Sequence, residues 1–234
     1  MTAAQNTALS RNTPRTFLYL AAGLAAFSAV AYELLLASYA TFLMGASIFQ
    51  YSLVISLMMA SMGLGAYVTK YVSRSSGQVF FLIELLLCWI AIIALPLLYY
   101  IFAKQWMPQI FILTFVVLIG AFVGMEIPLL NAIFPSAKEL SRILFFDYVG
   151  GFLGGMAFPL LLLPSMGFFR VSALLAAMNA VIALYFLITF RLKRKGWALL
   201  AVASVLSVLI ASIYFAQSEN IRLAMESSLF QIRH

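Results

Sequence analysis

Long apolar runs separated by short polar punctuation make up almost the whole sequence. The first run covers 16–44 and ends at the uncharged connection Gly45, Ala46, Ser47. The second covers 48–72, and the SRSSG stretch 73–77 after it predicts a polar turn. A third run spans 78–102, and a fourth spans 108–134. The internal segment 135–142 is the most polar loop. A fifth run, 143–166, ends in the predicted turn 164–167 and is followed by a sixth at 168–190. The basic stretch RLKRKG, 191–196, precedes a seventh run at 197–215. The remaining tail, 216–234, is polar with apolar residues at Ile221, Met225, Leu229 and Ile232, a spacing that suits a short amphipathic helix.

Each run is continuous over about the 20 residues that an α-helix needs to cross a bilayer. The pattern predicts an all-α integral membrane protein with a bundle of about seven transmembrane helices. Residues 1–15 form a polar N-terminus, 16–215 the helical domain and 216–234 the tail. Composition agrees: 65% of residues are hydrophobic and 9% are charged, against about 25% charged in soluble domains. A β-barrel would show alternating segments of about ten residues instead. The first run is too long for a signal peptide and carries Glu33 in its middle.

The net charge of +7 does not point to nucleic acid, because the basic residues lie in short loops, where they set topology. With the N-terminus in the cytoplasm, the inner segments hold Arg11, Arg15, Lys70, Arg74, Lys138, Arg142, Arg191, Lys193, Arg194 and Lys195. The outer ones hold only Lys104, Arg170, Arg222 and Arg233. The expectation is a multi-pass protein of a bacterial inner membrane with a cytoplasmic N-terminus. One cysteine, Cys88, allows no internal disulfide, and one histidine, His234, allows no histidine-based metal site or triad. No phosphate-binding glycine loop is present; GFLGG at 151–155 follows no strand. No catalytic residue, metal or cofactor is assigned within this chain.

Runs one to three and four to six read as two versions of one unit. Each begins with a helix bearing an internal glutamate, Glu33 or Glu126. Each continues with a glycine-bearing helix, Gly63 and Gly65 in one and Gly154 and Gly155 in the other. An odd number of helices per unit inverts the second copy, an arrangement that transporters use with sites at the repeat interface.

Ionised carboxylates in mid-bilayer cost about 2.5 to 3.5 kcal/mol even on insertion scales, so each needs a partner or a function. Glu33 and Glu126 are the deepest acids by position and the leading candidates for binding a proton or another cation. Asp147 follows Arg142 by five residues, and Glu84 lies near Arg74, so both are expected near an interface with a basic partner. The glycines Gly63, Gly65, Gly150, Gly151, Gly154 and Gly155 are expected to let helices approach closely, inside the chain or across a homodimer. Pro128 and Pro159 are expected to kink their helices.

Three stretches carry a resemblance: YELLLASYATFLMGASIFQYSLVISLMMASMGLGAY at 32–67, GMEIPLL at 124–130 and SRILFFDYVGGFLGGMAFPLLLLPSMGFFR at 141–170. Over about residues 27–190 the chain resembles the N-terminal transmembrane region of bacterial spermidine-synthase-like membrane proteins, which are polyamine aminopropyltransferases. The resemblance implies a Rossmann-like domain that transfers the aminopropyl group of decarboxylated S-adenosylmethionine to a diamine such as putrescine. The motifs of that domain have no counterpart in residues 1–234. The expected role is a membrane module that anchors or regulates an aminopropyltransferase domain or subunit, or handles a polyamine. The alternatives are a small cation- or proton-coupled transporter or channel using the intramembrane glutamates, and a structural assembly subunit.

Overall fold

The computed structural model describes residues 15–72, 76–133, 135–189 and 197–232, and these are almost entirely helical. The helices are α1 (Arg15–Met44), α2 (Ser47–Val72), α3 (Ser76–Ala103), α4 (Pro108–Ile133), α5 (Ala137–Ala157), α6 (Leu163–Thr189) and α7 (Trp197–Ile232). A five-residue π-helical turn, Phe158–Leu162, joins α5 to α6. The basic segment 191–196, the turn residues 73–75 with Arg74, and the N-terminal Arg11 lie outside the described residues.

By length and apolar composition, six helical segments among the described residues could cross a membrane, one fewer than the seven expected. The difference arises at 137–188, where the fifth and sixth runs continue as one helical stretch of 52 residues. Two local features shape the stretch: one is absorbed within the helix, and the other, at the turn expected from sequence, breaks it. Pro159 lacks the N–H that an α-turn needs, and the chain widens there into the π turn, in which the Leu163 N–H donates to the Phe158 carbonyl. Further on, Gly167 leaves helical geometry at φ 72, ψ 175, a conformation essentially restricted to glycine. Neighbours reveal the direction on each side. Along α1, Tyr19, Gly23 and Phe27 meet Phe146, Gly150 and Gly154 in that order. Phe17 meets Tyr185, whereas Tyr39 meets Phe168. Thus α5 runs parallel to α1 and α6 runs back against it.

The polar segment expected as a loop at 135–142 is largely helical. Ser136 is extended at the N-cap position, the Leu140 N–H donates to its carbonyl, and Glu139 stands in the first turn, where a carboxylate complements the helix dipole. At the other end of the chain α7 continues past Phe215 to Ile232 without a break. Pro96 and Pro128 lie within α3 and α4.

Among the first six helices, three pairs pack most extensively: α1 with α5, α2 with α4, and α3 with α6; α7 packs chiefly on α6. The α2–α4 pair is parallel, since Gln50 meets Gln109 near the start and Met62 meets Gly124 near the end. The α3–α6 pair is antiparallel: Phe80 meets Phe186, and Ser172 donates to the Ala91 carbonyl at 2.6 Å. Exchanging α1 with α4, α2 with α5 and α3 with α6 returns the same set of pairs. The core is apolar and continuous through Leu36, Tyr39, Phe80, Leu95, Ile119 and Phe186. The exterior is apolar as well, with Phe42, Ile48, Met59, Leu64, Tyr71, Phe152 and Leu161 all exposed.

Candidate functional site

Two glycine seams place the site. In the first, a Cβ on Gly150 would stand 1.9 Å from the Gly23 carbonyl oxygen, and one on Gly154 would stand 2.5 Å from that of Phe27. In the second, a Cβ on Gly65 would stand 1.9 Å from the Ala121 oxygen, and one on Gly124 would stand 2.0 Å from that of Met62. Real Cβ atoms do not approach so closely, so both pairs depend on glycine. Gly151 and Gly155 flank Val30 at ordinary or slightly tight distances, and Gly63 has no atom within 4 Å of its Cβ position. Of the α5 glycines, Gly150 and Gly154 are engaged inside the chain, on the backbone of α1.

Between the two zipped pairs lies a cleft of ≈ 290 Å³. Helix α1 lines it with Ala26, Ala29 and Val30, and α2 with Met62. Helix α4 contributes Val123, Glu126 and Ile127, and α5 contributes Asp147, Tyr148, Gly151 and Phe152. Small residues on α1 and the bare backbone at Gly151 leave the space unfilled. Two carboxyl groups, Glu126 and Asp147, face an otherwise mostly apolar wall.

The acids expected from sequence fall into a different order than their positions suggest. Glu84, expected near an interface, is completely buried, and neither of its carboxyl oxygens has a hydrogen-bond partner. It sits on the buried face of α3 with Phe80, Leu87, Cys88 and Ala91, and Arg74, its expected partner, lies outside the described residues. Glu126 is 5% exposed, with no hydrogen bond or ion pair to another described residue. Glu84 and Asp147 are both near enough to Glu126 for their charges to act on it. Glu33 is half-buried on α1 and does not line the cleft. The two glutamates that looked equivalent in sequence are therefore not brought to one place; Glu126 shares the cleft with Asp147 instead.

Asp147 does not take Arg142 as its partner. Arg142 instead donates to the Tyr19 hydroxyl at 3.2 Å and pairs with Glu139 at 3.5 Å, and Tyr19 donates to the Glu139 carboxylate. This cluster ties the start of α1 to the start of α5 and leaves Asp147 to the cleft.

Sequence reasoning missed that three polar side chains hold atoms that are buried without a hydrogen-bond partner. Tyr32 lies in charge range of Glu84 and Cys88 and has a buried hydroxyl without a partner. Asn179 on α6 is buried with both amide atoms unpaired, and the Asn131 carbonyl oxygen on α4 is unpaired too. The available signal was the uniformly apolar stretch around Glu84, FFLIELLLCW, which leaves an isolated acid no polar face to occupy. Among the described residues no group of three or more metal-ligating side chains is present.

No family model matches the chain, and no solved structure matches it. Curated relatives do. A polyamine aminopropyltransferase of Leptospira interrogans is 31% identical over 220 residues, which is 92% of this chain and 44% of the relative. Polyamine aminopropyltransferase 2 of Ralstonia nicotianae is 33% identical over 187 residues, 77% of this chain and 37% of that protein. Polyamine aminopropyltransferase 1 of Streptomyces coelicolor is 32% identical over 209 residues, 83% of this chain and 39% of the relative. The chain is related to the polyamine aminopropyltransferases. It spans less than half the length of these curated relatives.

Proposed function

We propose that this chain is a membrane-embedded module of a polyamine aminopropyltransferase-like system. In this reading it anchors or regulates aminopropyl-transfer chemistry that lies outside residues 1–234, in an associated domain or subunit, and assigns itself no catalytic residue. The observation that carries it is the relationship to several polyamine aminopropyltransferases over three quarters or more of the chain. The apolar exterior and the six long apolar segments support a bilayer as its surroundings. The test is to isolate the tagged protein from membranes of its own host in mild detergent and assay aminopropyl transfer to putrescine. Co-isolated activity is expected; a protein found in the soluble fraction, or membranes that yield it without any such activity, would overturn the reading.

The same proposal takes the 52-residue stretch as two crossings, giving seven spans: two inverted three-helix units followed by α7. The reversal between α5 and α6 and the exchange symmetry of the helix pairs support it. The excess of basic residues on one side supports a cytoplasmic N-terminus in a bacterial inner membrane. Because the single native thiol, Cys88, is buried, thiols introduced as Lys104→Cys and Ser136→Cys can be probed with a membrane-impermeant maleimide. Labelling of the first in intact cells, and of the second only after lysis, is expected; the reverse pattern would sink this topology.

A transporter remains the second reading, resting on the cleft and the paired helices; the relatives' names do not point to transport. Proteoliposome uptake of labelled putrescine that is unchanged in Glu126→Gln and Glu33→Gln would count against it.

A further inference from the structure

The cleft has a chemical character that the family relationship does not specify. Its walls are alkyl and aromatic, from Ala29, Val30, Met62 and Phe152, and its polar groups include two carboxyls, Glu126 and Asp147. Simple ions are a poor match: a divalent metal requires several oxygen ligands in a tight shell, and no metal-ligating group of three is present among the described residues. An anion is disfavoured outright. What fits apolar walls with carboxyls is a cation that carries its own apolar surface, so that methylenes meet Val30 and Phe152 while N–H donors meet the acids. Glu126 supplies the second observation beyond the acid cluster itself. It is 95% removed from solvent, lines the cleft, and has no hydrogen bond or ion pair to any other described residue. Buried carboxyls are normally satisfied by the protein, and this one is left for something else.

We propose that the cleft between the α1–α5 and α2–α4 pairs binds a primary alkylammonium group, with Glu126 and Asp147 accepting its N–H donors. This deepens the proposed function by naming a ligand class, but it rests on the cleft geometry and stands or falls separately from association with an aminopropyltransferase. Two sources share this chemistry: a free short-chain amine and the ethanolamine headgroup of a lipid.

The experiment uses the full chain in nanodiscs of phosphatidylcholine and titrates putrescine by isothermal calorimetry. 1,4-Butanediol serves as the uncharged analogue of equal length and potassium as the bare cation. Saturable putrescine binding is expected, with neither butanediol nor potassium competing. Glu126→Gln and Asp147→Asn are each expected to weaken it by about tenfold, the size of a lost charge-assisted hydrogen bond. Glu219→Gln, far along the chain on α7 and paired with Arg170, is expected to leave it unchanged. Adding phosphatidylethanolamine separates the sources: competition with putrescine assigns the lipid amine, and its absence assigns the free amine. No saturable putrescine binding by the wild type, competition by potassium, or equal binding by monodisperse Asp147→Asn and wild-type protein would each overturn the site. Asp147 is only partly buried, so that variant keeps the test open if Glu126→Gln does not fold.

Discussion

Gly150 packs on the backbone of Gly23 so closely that a Cβ built on it would stand 1.9 Å from the Gly23 carbonyl oxygen. In a lipid environment such backbone approach is a main source of helix association, since side-chain hydrophobicity no longer discriminates between neighbours. Gly150→Ala and Gly65→Ala are therefore expected to destabilise the protein by about 1–3 kcal/mol each, the usual cost of overpacking. Gly63→Ala, with open space around it, is expected to be neutral or slightly stabilising. Thermal loss of the monodisperse peak in detergent separates the two groups; equal behaviour of all three variants would contradict the seams.

Glu84 has two buried carboxyl oxygens and no hydrogen-bond partner for either. An apolar group of similar shape removes that unmet demand, so Glu84→Met is expected to stabilise the fold by about 1–3 kcal/mol. A melting temperature that falls instead would show that the carboxyl is satisfied in a way the packing does not reveal.

Gln50 and Gln109 exchange amide hydrogen bonds of 3.1 and 3.3 Å between α2 and α4. Removing one partner strands the other, so Gln50→Leu alone is expected to cost about 1–3 kcal/mol, with much of this regained in the double variant Gln50→Leu/Gln109→Leu. The double-mutant cycle measures the coupling directly; additive effects would mean that the pair contributes no more than its separate parts.

At Gly167 the backbone reverses through φ 72, ψ 175. A side chain there is strained whatever room surrounds it, and Gly167→Ala is expected to cost about 1–3 kcal/mol. Limited proteolysis of the purified variant should cut around Gly167 faster than in the wild type. Unchanged cleavage would indicate that the turn can adopt another conformation.

Helix existence was legible because each apolar run is long and uninterrupted, and the runs at 16–44 and 48–72 match α1 and α2 closely. Boundaries at polar segments were not. Lys138, Glu139 and Arg142 read as a loop, yet Ser136 and Glu139 give a good helix start, and Tyr19 supplies a partner 120 residues away in sequence that no local pattern announces. Depth was misread for a related reason. Distance from the end of a run says how high a residue sits on its helix but not which way it faces, and α3 is apolar on all sides, so Glu84 is carried into the core by packing alone. The cleft was illegible because its two carboxyls come from helices α4 and α5, which belong to different glycine-seamed pairs.

The order of the helix pairs has a consequence for biosynthesis. As the chain leaves the ribosome, α1 is complete while Gly150 and Gly154 are still more than a hundred residues from being made, and α2 must wait for Gly120 and Gly124. The first three helices therefore emerge with both glycine faces uncovered, and the seams close only when the fourth and fifth follow. A nascent chain stalled after α3 holds three helices and none of the three main pairings, which makes it a natural client for the assembly factors that guard unpartnered helices.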